Sequence, residues 1–166
     1  MAKAKTPVPP KPRARRAGGE GGLGYSGTPL VKKLGIKPGT ALALVGAPPG
    51  FIDELDGLPK DVRILKKIDG APDLAIWFVR SRRELEGRMP EVSGAMGQGL
   101  WVAWTKKASG VVTDVTEDVV RAAGLANGIV DYKVCAINVT WSGLKFARRR
   151  AATGSARPSR TPRPGR

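Results

Sequence analysis

The sequence predicts an α/β domain in which a mainly parallel sheet is flanked by helices and closed by an antiparallel hairpin. Two observations carry this. Leu100, Trp101, Val102, Ala103 and Trp104 form an unbroken apolar run without polar alternation, the pattern of a strand covered on both faces. Strand-like and helix-like segments also alternate along the chain with short connections, as in a parallel sheet sandwiched by helices. With 166 residues, 41% of them hydrophobic, there is material for one core and not two. The expected organisation is a basic Pro/Ala-rich tail over 1–20, a single domain over 21–149 and a basic Arg/Pro-rich tail over 150–166.

In order, Gly18–Gly24 reads as a joint and Tyr25 as the first anchoring residue. Thr28 and Pro29 open a short helix that stops at Gly35. Thr40–Val45 is the first strand, and a short helix over Phe51–Leu55 follows the Gly46-Ala47-Pro48-Pro49-Gly50 loop. Val62–Lys66 and Leu74–Val79 are the next strands, too close together for a crossover helix. Ser81 and Glu84 stand at capping-box spacing, so a helix starts there, with Leu85, Met89, Val92 and Met96 on one face and a kink or break at Pro90. Gly97-Gln98-Gly99 is a tight turn into the central strand. Thr113, Thr116, Asp114, Glu117 and Asp118 signal a further helix stopped by Gly124. Tyr132–Ile137 and Leu144–Arg148 form the closing hairpin, with Trp141, Ser142 and Gly143 at its corner or on its surface.

The formal charge of +15 belongs mostly to the ends: +5 before Gly21 and +7 after Ala147 leave +3 for the part between. Such tails would bind nucleic acid nonspecifically, by counterion release, or merely solubilise. Cys135 is the lone cysteine, so no intramolecular disulfide forms, and its apolar strand suits a buried thiol. Prolines 7, 9, 10 and 12 interrupt the place where a signal peptide needs its apolar segment, and no apolar run is long enough to span a bilayer. A cytoplasmic protein off the membrane is expected.

The absence of histidine excludes His-based triads and His–metal sites, and no other metal site is expected. No catalytic constellation stands out. Candidate binding residues lie where strands end, since open parallel sheets bind ligands beyond the carboxyl ends of their strands. These are Lys66 and Lys67 after the second strand, Arg80, Ser81, Arg82 and Arg83 after the third, and Thr105, Lys106 and Lys107 after the fourth. Together they would make a positive edge for phosphate or nucleic acid, helped by free backbone donors at the Ser81 helix start.

The order of elements in the second half, strand, helix, strand, helix and closing hairpin, resembles class I S-adenosylmethionine-dependent methyltransferases, a Rossmann-like fold. That resemblance implies a glycine-rich turn after the first strand and an acid after the second. Here Pro48 and Pro49 stiffen the first loop, and Lys66 and Lys67 stand where the acid belongs, so no bound cofactor is expected. Gly24–Leu30, Lys32–Ile36, Gly99–Gly110 and above all Trp141-Ser142-Gly143-Leu144-Lys145-Phe146 resemble an uncharacterised bacterial family common in actinobacteria. That family brings no activity. The resulting expectation is a small non-enzymatic α/β module for an anionic partner, a phosphorylated ligand or nucleic acid. The alternatives are a degenerate or cryptic methyltransferase-like enzyme and an interaction scaffold.

Overall fold

The computed structural model describes residues 27–150. Both basic tails, Tyr25 and the nucleic-acid expectation attached to the tails lie outside the described residues. Six strands form one sheet in the order β2-β1-β3-β4-β6-β5. These are β1 Ala41–Val45, β2 Arg63–Leu65, β3 Leu74–Val79, β4 Gly99–Thr105, β5 Ile129–Ala136 and β6 Trp141–Arg148. The first four are parallel, while β6 runs antiparallel between β4 and β5. The predicted mainly parallel, Rossmann-like α/β sheet with a reversed closing strand is what the chain forms. Among the described residues no helix is long and apolar enough to cross a membrane.

Every residue of β3 and β4 is buried. Their alternate side chains feed two cores. Trp77, Val79, Leu100 and Val102 face α3 (Arg82–Ala95) and α4 (Glu117–Ala126). Ile76, Phe78, Trp101 and Ala103 face the short helices α1 (Leu30–Leu34) and α2 (Phe51–Glu54). The Trp101 indole N–H donates to the Leu34 carbonyl at 2.9 Å, which ties the last turn of α1 to the sheet. Gly35 ends that helix at φ 77°, a conformation that costs a glycine little.

Several local expectations are corrected. Pro29, not Thr28, occupies the first cap and supplies no side-chain hydrogen bond. Pro90 does not split the helix: it lies inside a continuous α3 on its exposed side, where water can serve the carbonyl that loses its partner. Gly124 does not stop α4; the helix runs on to Ala126, and the missing side chain leaves room for the Phe146 ring. Trp141, Ser142 and Gly143 are not a hairpin corner or a surface motif but the first three residues of β6, with Trp141 only 6% exposed. Gly143 is needed for close approach: a Cβ there would stand 3.0 Å from Ile137 and 3.1 Å from the Trp101 ring. A register shift between Asp131 and Lys133 bulges the outer strand β5.

Gly97 is likewise a contact rather than a turn, because a Cβ would run into the Pro72 carbonyl group, 2.9 Å from its carbon. Backbone cannot yield as a side chain does. Gly97→Ala should lower stability by about 3 kcal/mol, the upper range for overpacking. Urea unfolding measures this, with Gly94→Ala, where nothing lies within 4 Å, as the neutral or stabilising control.

Candidate functional site

All four parallel strands empty toward one edge, but they do not end level. Leu65 at the end of β2 pairs with Ala43, and Ala43 with Ala75, whereas β3 continues to Val79. At 3.3 Å per residue the β2 exit lies about 13 Å below the β3 exit. The predicted site residues therefore fall into two groups.

The lower group lines a groove of about 560 Å³ on the α3 face. Lys66, Lys67, Ile68 and Asp69 form one wall, Arg88, Glu91, Val92 and Ala95 of α3 the other, and Val45 closes the top of β1. The groove exists because the return from β2 to β3 has no helix: Ile68 is the residue of that return that joins the core on the α3 face. Beneath Arg88, whose guanidinium stands 5.8 Å from the ring centroid, the fully buried Trp77 has an indole N–H with no acceptor among the described residues. No ion pair among the described residues reaches Lys66 or Lys67, while Arg88 lies 3.7 Å from Glu91.

Ser81, Arg82 and Lys106 of the upper group are engaged with their own chain. Ser81 caps α3 by accepting from the Glu84 amide at 3.1 Å. Glu84 in return accepts from the Arg80 amide at 3.0 Å. The Asp114 carboxylate accepts from the Arg82 amide at 2.8 Å, so a residue of the chain already fills the place an anion would take at that helix start. The Arg82 side chain pairs with Glu86 at 2.7 Å, a contact that raises its pKa. Lys106 donates to the Asn138 carbonyl at 2.6 Å, and burial pushes its pKa down. Asn138 in turn donates to Glu54 of α2 at 2.7 Å. Arg83 is exposed on the first turn of α3, and Lys107 is exposed in the 3-10 turn Lys107–Ser109.

At the β1 exit Gly46, with φ 65°, has its Cα close against β3: a Cβ would lie 3.0 Å from the Phe78 carbonyl and 3.4 Å from an Arg80 guanidinium nitrogen. This is the switch point of the sheet, where β1 leads outward to β2 and the chain then returns to β3 on the other side. Asp69 is the residue that sequence reasoning passed over. The methyltransferase resemblance places an acid directly after Leu65, whereas here the acid on the groove wall comes four positions later. No group of three or more metal-ligating residues occurs among the described residues.

No protein-family model matches the chain and no curated protein matches it, so neither comparison supports the uncharacterised bacterial family expected from Trp141–Phe146. Solved structures do resemble it in shape. The magnesium protoporphyrin IX methyltransferase of Synechocystis PCC 6803 with bound SAM gives a TM-score of 0.48 at 12% identity, over 72% of this chain and 74% of that one. The ribosomal protein L11 methylase of Lactobacillus delbrueckii subsp. bulgaricus gives 0.46 at 15%, over 72% and 75%. A putative type 11 methyltransferase of Sulfolobus solfataricus gives 0.43 at 13%, over 68% and 73%. These are methyltransferases and the likeness is one of shape; the expected non-enzymatic module for an anionic partner is corrected. The physical reason within the chain is the split of its strand-exit cations, with Arg82 engaged by Glu86 and Lys106 by the Asn138 carbonyl.

The cap arrangement is testable. Asp114→Ala should cost about 1 kcal/mol, the usual value of a helix-start acceptor. Asp114→Asn should recover about half of it, since the amide oxygen still accepts. Unfolding in urea at matched salt checks both values.

Proposed function

We propose that this chain is a degenerate methyltransferase-like domain that retains a groove for a nucleoside cofactor of the S-adenosylmethionine class. The observation that carries the reading is the groove at the β1 and β2 exits, beside the sheet's switch point, with Asp69 on its wall. Its volume is in the range of small-molecule sites, and Val45, Ile68, Val92 and Ala95 give it apolar surface for a base. Asp69 supplies the carboxylate that ribose hydroxyls require.

The departures are as physical as the fit. Pro48 and Pro49 remove backbone donors from the loop after β1, and Lys66 and Lys67 bring positive charge where the acid was expected. A cofactor of this class supplies an electrophilic methyl on a positively charged sulfur. The lysines repel that charge, so the demethylated, neutral-sulfur form S-adenosylhomocysteine suits the groove better. This asymmetry is why we read the domain as degenerate.

Isothermal titration of the full chain tests the reading. S-adenosylhomocysteine should bind saturably and at least threefold more tightly than S-adenosylmethionine. Asp69→Asn should weaken it tenfold or more, in line with the 1.5–3 kcal/mol typical of hydrogen bonds to a charged group, roughly. No saturable signal with either compound overturns the reading, and binding indifferent to Asp69 removes that residue from it.

A further inference from the structure

Across the sheet from the groove, on the α2 face of the same edge, three side chains stand in a row. Thr105 ends β4 and is 5% exposed, yet its hydroxyl has no hydrogen-bond partner among the described residues. An orphaned buried hydroxyl is costly and calls for an explanation. On one side of it Trp141 is its direct partner in the antiparallel ladder. On the other, the β3–β4 ladder reaches Val79 opposite Trp104, and one further step sets Arg80 beside Thr105.

Arg80 is exposed and makes no ion pair among the described residues. Its guanidinium lies 5.8 Å from the Trp141 ring centroid and against Gly46. Stacking on an indole fixes a guanidinium plane while leaving its N–H edge for a partner. Phe78 buttresses Trp141 from below, edge to face at 5.0 Å, so the platform itself is rigid. The row thus presents a guanidinium beside an indole and, next to it, a hydroxyl in need of a partner.

We propose that Arg80, Thr105 and Trp141 form a receptor for the carboxylate of a small planar organic acid. The guanidinium fork matches two coplanar oxygens, Thr105 donates to one of them, and Trp141 holds the fork in place. A single cation with one added hydroxyl matches a planar monoanion better than a tetrahedral dianion. Val45 lines the nucleoside groove and Gly46 abuts Arg80, so the two places lie on opposite faces of one strand exit. As the methyl-acceptor subsite the row rests on the reading of the groove; as a carboxylate site it stands on its own geometry.

Benzoate and its neutral counterpart benzamide are the probes, titrated into the full chain and followed by the indole N–H resonance of Trp141, assigned with Trp141→Phe. Benzoate should shift that resonance saturably and benzamide should not. Arg80→Gln should weaken benzoate binding tenfold or more, Arg80→Lys should restore part of it, and Thr105→Val should cost at least threefold with unchanged thermal unfolding. Equal responses to the two probes, no saturation by benzoate, or indifference to Arg80→Gln each overturn the proposal. Titrating S-adenosylhomocysteine into the same samples separates the two readings. Benzoate binding without nucleoside binding defeats the groove and spares the carboxylate site as such, and the reverse result defeats the carboxylate site alone.

Discussion

The structure depends on one demand: β3 and β4 lie side by side with both faces of both strands buried, so each face must be covered. On one face α3 and α4 do this with the usual apolar stripes. On the other, the covering helices have five and four residues, too short to hold themselves together. They persist because the sheet holds them. The Trp101 N–H reaches the Leu34 carbonyl from beneath, Lys133 donates to the Lys33 carbonyl at 2.8 Å, and Phe51 packs edge to face on Phe78 at 4.7 Å. Secondary structure on this side is a consequence of packing rather than its cause.

That difference explains what was legible in the sequence. Leu74–Val79 was legible to the residue, and Gly99–Thr105 through its Leu100–Trp104 run, because an apolar run bounded by charge or glycine records burial directly. Ser81 was legible as a cap because a cap is a local bond, and it accepts as expected from the amide three residues on; of Thr113 and Thr116, Thr116 does the same for α4. Gly124 and Gly97 misled for the opposite reason. Each is glycine because of a side chain or carbonyl far away in sequence, and nothing in its neighbours distinguishes such a contact from a turn.

The candidate site was legible to the same degree. Parallel strands ending in charge could be read, and those residues do stand at one edge. The stagger between β2 and β3 could not, because it follows from the register of pairs distant in sequence. Nor could the Asp114 carboxylate at the start of α3, which comes from 32 residues away. The reading as a non-enzymatic anion binder failed at this point: it counted cations along the chain without the acids and carbonyls that meet them in space. The absence of a helix between β2 and β3 was foreseen from the short spacing. Its consequence, a groove with Asp69 on one wall, depends on where the return packs.

The bulge in β5 bears on how copies of the chain meet one another. An outer strand of eight residues with Tyr132 and Val134 exposed offers the unpaired backbone groups and apolar surface from which sheets grow by strand addition. The register shift at Asp131 to Lys133 breaks that template near its middle. The Lys145 ammonium stands 5.8 Å from the Tyr132 ring centroid, and Lys133 is drawn to the α1 carbonyl. An incoming strand would find two short, misaligned halves in place of one ladder. The irregularity protects the sheet against edge-to-edge aggregation at the one border where its length invites it.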